Sequence, residues 1–228
     1  MNQQLTPRGT TAGFSLVELL IAMTTTIAML GLASTVLSAG FRIRSRENGV
    51  SDATADVQRA LNIMSREIAN AGFNLTTNGV VAGDSDASHI RIRSNLNRFD
   101  ATATSASRNG VIDAGEDVKY FVNTASNTDY LVRYDANAAS NKTTVLANRL
   151  DSFRIHYFAQ KVTYGTTNCD FSSPSSGEVS PDAAGYIVIA VCVQLPAYGS
   201  PNTTGYQPAS NVLLVSDVTL RNANLTAY

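Results

Sequence analysis

Between Phe14 and Phe41 the chain runs for 28 residues with a single charged side chain, Glu18. At about 1.5 Å of rise per residue such a run makes a helix of roughly 42 Å, longer than the hydrocarbon layer of a bilayer is thick. A helix on the surface of a soluble domain keeps one polar face, and this run has none. Such a run can cross a membrane. Glu18 is the exception within it. A carboxylate near mid-bilayer costs about 2.5 to 3.5 kcal/mol on insertion scales, so it reads as a functional group that needs a partner. The plainer alternative is a signal anchor that tolerates one glutamate near its edge. Gly31-Leu32-Ala33 also offers an acceptable small-residue site for a secretory signal cut after its apolar core. Residues 1–13 argue against that, since Arg8 is their one charged side chain and they hold no apolar run. Set against Arg42, Arg44 and Arg46 beyond the run, Arg8 leaves the positive-inside rule ambiguous or even adverse.

Past Arg42 the apolar residues become periodic. Val50, Ala53, Val57, Ala60, Leu61, Met64, Ile68 and Ala71 recur at three- and four-residue steps, the stripe of an amphipathic helix that covers its own sheet. Arg59, Arg66 and Glu67 fall on the polar face, and Gly72 is placed to stop the helix. There is no proline between Pro7 and Pro174 to kink it, so Thr24-Thr25-Thr26, Gly31 and Gly40 are its weaker helix formers. After Gly72 the period changes to two. Segments 90–93, 118–122, 130–134, 153–158, 186–193 and 213–220 read as strands of an antiparallel sheet with one buried face, separated by polar loops at 75–88, 95–115, 164–184 and 196–210. The nearly continuous apolar run 186–193 is the expected central strand. The expected fold class is α+β, a long N-terminal helix packed on a C-terminal antiparallel sheet.

Gly13-Phe14-Ser15-Leu16-Val17-Glu18-Leu19-Leu20 resembles the class III signal of type IV pilins and type II secretion pseudopilins: a short polar leader ending in glycine, a phenylalanine, a glutamate as fifth residue of the processed chain, then a long apolar run. The resemblance implies that a prepilin peptidase cuts between Gly13 and Phe14 and methylates the new amine of Phe14. Expected segments are then a leader at 1–13, a transmembrane or filament-core helix at 14–41, an amphipathic helix at 42–72 and a sheet-rich, pilin-like domain at 73–228. It also implies a cytoplasmic leader, a globular domain outside the bacterial inner membrane before assembly, and an extracellular pilus afterwards. Arg66-Glu67-Ile68-Ala69-Asn70-Ala71-Gly72-Phe73 is similar to the R-x-I-x-x-A-G-[FY] helix end of PilW-type minor pilins and, less closely, of J-type minor pseudopilins. The segment 215–222 resembles the last strand and Arg-Asn ending of the PilW-type group. In a low-dielectric bundle the Glu18 carboxylate would be offset by the amine of Phe14 on a neighbouring subunit, which sets axial register.

Cys169 and Cys192 are the only cysteines, and in the extracytoplasmic domain that the resemblance implies a disulfide is the expected state rather than a metal pair, with two free thiols the alternative. Residues 105–116 have the spacing of an EF-hand-type calcium loop, with Ser105, Ser107, Asn109, Asp113 and Glu116 at ligand places and Gly110 at the turn. Serines at the first and third places leave too little negative charge for tight binding, so the alternatives are a vestigial site or a hairpin turn at Asn109-Gly110. No other cofactor is expected.

The sequence offers little for catalysis. His89 and His156 are the only histidines and lie in no catalytic or HExxH-type motif, and there is no phosphate-binding fingerprint. Asp84, Asp86, Glu116, Asp117 and Asp135 are assigned to solvated loops. A net charge of −1 gives no footprint for nucleic acid. The expectation is a non-enzymatic minor pilin that primes a type IV pilus and enters it, with other minor pilins, the major pilin, prepilin peptidase and an inner-membrane platform protein as partners. A J-type minor pseudopilin of a secretion system is the near alternative, and a monomeric anchored protein that binds a ligand or surface is the alternative of another class.

Overall fold

The computed structural model describes residues 13–97, 110–125, 129–167, 169–172, 177–203 and 206–223. One helix, α1 (Leu16–Ala69), runs for 54 residues without a break through the threonine triplet, Gly31 and Gly40. Its first half and second half are chemically different objects. From Phe14 to Ile43 the large apolar side chains point outward in every direction, and Ile27 (67% exposed) and Leu32 (69%) touch no core. From Ala53 onward the expected stripe is buried, with Val57, Met64 and Ile68 at 0% exposure.

Two antiparallel sheets pack on this second half. The first is a meander of β1 (His89–Arg93), β2 (Asp117–Asn123), β3 (Tyr130–Asp135) and β4 (Thr143–Asn148). The second has the order β5-β8-β9, from β5 (Leu150–Phe158), β8 (Tyr186–Leu195) and β9 (Ser210–Thr219), while β6 (Gly165–Thr167) and β7 (Asp170–Ser172) form a separate hairpin. β8 is the central strand of its sheet, as its apolar run requires: a strand covered on both faces cannot alternate. The α+β class is as expected, but the single sheet of the sequence reading is two. β4 escaped that reading because Val145-Leu146-Ala147 is too short an apolar run between polar residues to declare a strand.

The helix end is locked by backbone. Gly72 and Gly79 adopt φ of +78° and +80°, and a Cβ on Gly79 would stand 2.0 Å from the Gly72 nitrogen, so only glycine fits where these two turns touch. Gly72 N–H donates to the Arg93 carbonyl at 2.9 Å, which ties the exit of α1 to β1. The other end of the chain closes the same corner: Arg221 N–H donates to the Ala69 carbonyl at 3.3 Å, and the Asn222 amide donates to the Ala71 carbonyl at 3.1 Å. The Ala69 carbonyl is one of those that a helix end leaves without an intrahelical donor, and the Ala71 carbonyl lies in the turn just beyond it.

Candidate functional site

Gly13 and Phe14 precede the helix in exposed, non-helical chain, and no heavy atom of the described residues beyond Gly13's chain neighbours lies within 4 Å of where a Cβ on Gly13 would be. Phe14 is 82% exposed. Ser15 has extended backbone and its carbonyl accepts the first helical hydrogen bond, from Leu19 N–H at 3.1 Å. Among the described residues nothing covers Gly13 or Phe14. Glu18 falls in the first turn of α1, where unpaired backbone N–H groups and the helix dipole favour a negative charge.

Five hydroxyls of the apolar half, those of Thr24, Thr25, Thr26, Thr35 and Ser38, are satisfied internally. Thr24 donates to the Ile21 carbonyl at 2.9 Å, Thr26 to Ala22 at 2.7 Å, Thr35 to Leu32 at 2.7 Å and Ser38 to Ser34 at 2.8 Å. Each hydroxyl thus folds back one turn, the arrangement that lets such residues sit in hydrocarbon. Among the described residues nothing pairs with the Glu18 carboxylate. The structure brings Gly13, Phe14 and Glu18 together at one helix tip and, among the described residues, gives the acid no partner.

Where the apolar surface ends, arginines begin. Arg42 and Arg44 are exposed, whereas Arg46 turns back to the domain, donating to the Gln207 amide oxygen, to the Pro208 carbonyl at 2.6 Å and to Ser210 Oγ at 3.1 Å. It pins the helix to the segment that enters β9.

Of the acidic residues assigned to solvated loops, Asp86 is exposed in its loop as expected, whereas Asp84, Glu116, Asp117 and Asp135 are clamps. Asp117 is buried and binds the Arg91 guanidinium at 2.6 and 2.9 Å and Arg93 Nε at 2.9 Å. Burial would push its carboxyl up, but hydrogen bonds and charge from Arg91 and Arg93 outweigh burial and hold it below the ordinary 3.8. Asp84 is lowered likewise, by Lys119 and then Arg91, against burial. Asp135 is buried and accepts from Gly115 N–H at 2.7 Å. Glu67 leaves the polar face of α1 to accept from the Tyr120 hydroxyl and, at 3.1 Å, from Arg133 Nε, joining the helix to β2 and β3. Burial, reinforced by the Glu67 charge, pushes the Tyr120 phenol up. The Ile-Arg-Ile-Arg alternation signalled that Arg91 and Arg93 share a face, but their acid came from β2 through a register that no local pattern encodes.

Ser105, Ser107 and Asn109 of the calcium-type loop lie outside the described residues. Of its other two ligand places, Glu116 is buried and its carboxylate accepts from the backbone N–H of Leu96 (2.6 Å), Asn97 (3.0 Å) and Asp113 (2.8 Å), while Asp113 accepts from the Asn97 amide at 2.8 Å. The Glu116 carboxylate is thus engaged by three backbone N–H donors. Cys169 and Cys192 form a disulfide with Cα atoms 5.0 Å apart, which fastens the β6–β7 hairpin to β8. Asp151 is close to both sulfurs, but a bridged pair has no thiolate for a metal.

The chain matches no protein-family model, no curated protein and no solved structure.

Proposed function

We propose that this chain is a minor type IV pilin: a subunit processed between Gly13 and Phe14, held by α1 in the bacterial inner membrane, and then drawn into a pilus whose assembly it primes. The observation that carries the reading is Glu18, the single acid in a helix half that is apolar all round, uncovered, and internally satisfied at Thr24, Thr26, Thr35 and Ser38. An apolar surface of that extent requires lipid or neighbouring helices. In a bundle of parallel copies the same surface is covered by other subunits, and the Phe14 amine of one subunit neutralises the Glu18 carboxylate of the next. The closed helix end supports the PilW-type resemblance because two of the residues that carry it, Gly72 with its close contact and Asn222 with its cap, have structural tasks. No step of this function requires catalysis by the chain, nor does it require nucleic acid or a cofactor.

The test is Glu18→Ala. The variant is expected to be cut after Gly13 like the parent and to stay in the membrane fraction, while its recovery in sheared fibres falls by about tenfold, the cost of one uncompensated charge contact of about 1.4 kcal/mol. Recovery at the parental level would refute the role assigned to the carboxylate.

A further inference from the structure

β9 is an edge strand ten residues long, paired with β8 in continuous register from Ser210 to Thr219 and with nothing on its other side among the described residues. The Leu220 amide donates to the Gly185 carbonyl. By antiparallel alternation the backbone groups of Val212, Leu214, Ser216 and Val218 then point to β8, and those of Asn211, Leu213, Val215, Asp217 and Thr219 point out of the sheet. The other edges are dealt with. β1 is covered by the segment 79–81 through Val81 N–H to the Arg91 carbonyl and Arg93 N–H to the Gly79 carbonyl. β4 and β5 each carry a register irregularity, and β5 also meets Ala87 and Val179. β9 has no proline, no lysine, no bulge, and a single charge, Asp217, held by the Tyr186 hydroxyl at 2.6 Å. A long, unbulged edge with an apolar middle, Val212 to Val215, and no blunting device is a template for another strand.

We propose that β9 pairs with an extended strand of a different protein chain, and that the groove beside it specifies that strand's two faces. Leu213 and Val215 pack toward the apolar cluster of Phe158, Tyr186, Val188 and Ala190, so the residues opposite them on the incoming strand are apolar. On the other face, a groove between α1 and the edge is walled by Gln58 and Asn62, with Leu61 behind, and the incoming residues there are polar. A second groove along the helix shares Gln58 and Asn62 and adds Arg59 and Arg66, both exposed and, among the described residues, without an acidic partner. The polar face of the incoming strand therefore carries carboxylates. The same arginines disfavour a second copy: an antiparallel β9–β9 pair sets the two helices alongside each other with like charges opposed. The inference goes beyond the proposed function and depends neither on leader cleavage nor on fibre entry.

The experiment uses the full chain in detergent micelles and two capped, strand-length peptides, one alternating valine with threonine and glutamate, the other with lysine in place of glutamate. The glutamate peptide is expected to protect the amides of Leu213, Val215 and Asp217 from hydrogen exchange and to bind at least about tenfold more tightly than the lysine peptide. Val215→Pro removes an outward N–H while leaving the β8 ladder its donors, so it is expected to keep the parental melting temperature and lose binding. Should that variant melt early, the Arg59→Glu/Arg66→Glu pair decides instead, because it leaves the ladder untouched and reverses the peptide preference. Equal binding of both peptides to the parent, unchanged binding by folded Val215→Pro, an unreversed preference in the double variant, or protection of the same amides that rises with protein concentration in the absence of peptide would each overturn the proposal.

Discussion

The two halves of α1 are continuous in backbone and opposite in what they demand of their surroundings. Residues near Ile27 and Leu32 project apolar groups in all directions into space the subunit does not fill, while Val57, Met64 and Ile68 project one stripe into a core the subunit supplies itself. Helix propensity does not distinguish them. The difference lies in the partner: the second half brings its own solvent, in the form of two sheets, and the first half must find its solvent elsewhere. One helix can therefore be both a folding element and an interaction surface, and substitutions should separate the two roles.

The largest separation is expected from Ile68→Ala against Ile27→Ala. The first removes a fully buried side chain and is expected to cost about 2–5 kcal/mol of domain stability. The second is expected to leave the melting of the domain unchanged, as read by near-ultraviolet circular dichroism in detergent. Next comes reduction of the Cys169–Cys192 bridge, with a sequence separation of 23, which is expected to lower domain stability by about 3 kcal/mol and leave the exposed helix half unaffected. Mass spectrometry without reductant that finds both cysteines alkylatable would contradict the bridge.

Much of this contrast is legible in the residues themselves. The apolar run with its one acid, the stripe from Val50 to Ala71 and the central strand at 186–193 are local patterns, and local patterns announce themselves. What was not legible depends on register and on long-range pairing. Glu67 sits at a helical position that reads as solvated, and only the placement of Tyr120 and Arg133 two strands away draws it inward. Asp117 reads as a loop acid until β1 is laid beside β2, with Arg93 opposite it in register and Arg91 diagonal to it. The division into two sheets depends on which strands pair, and the first sheet's fourth strand, β4, has an apolar run shorter than the signal that strand patterns need. At the helix tip the placement of Gly13, Phe14 and Glu18 was readable because sequence neighbours remain spatial neighbours there.

Acid sharpens the comparison further, with a smaller effect. Because the folded values of Asp117 and Asp84 lie below the ordinary 3.8, the stability they contribute is fully present above that value and is lost as the pH falls through the folded values. Domain stability is expected to be level above about pH 5 and to fall toward pH 2. Asp117→Asn is expected to be less stable at neutral pH and to show a shallower fall, which denaturant titrations across that range would check. Smallest is Asn222→Ala, expected to cost about 1 kcal/mol by leaving the Ala71 carbonyl without its donor.

The measurement that bears most directly on the central claim is the intact mass and N-terminal sequence of the protein recovered from membrane and fibre fractions. The expected species begins at Phe14 with a methylated amine and occurs in both fractions. A chain that retains residues 1–13 and is confined to the membrane would contradict the account, since it would leave the Glu18 carboxylate without the amino group proposed to neutralise it.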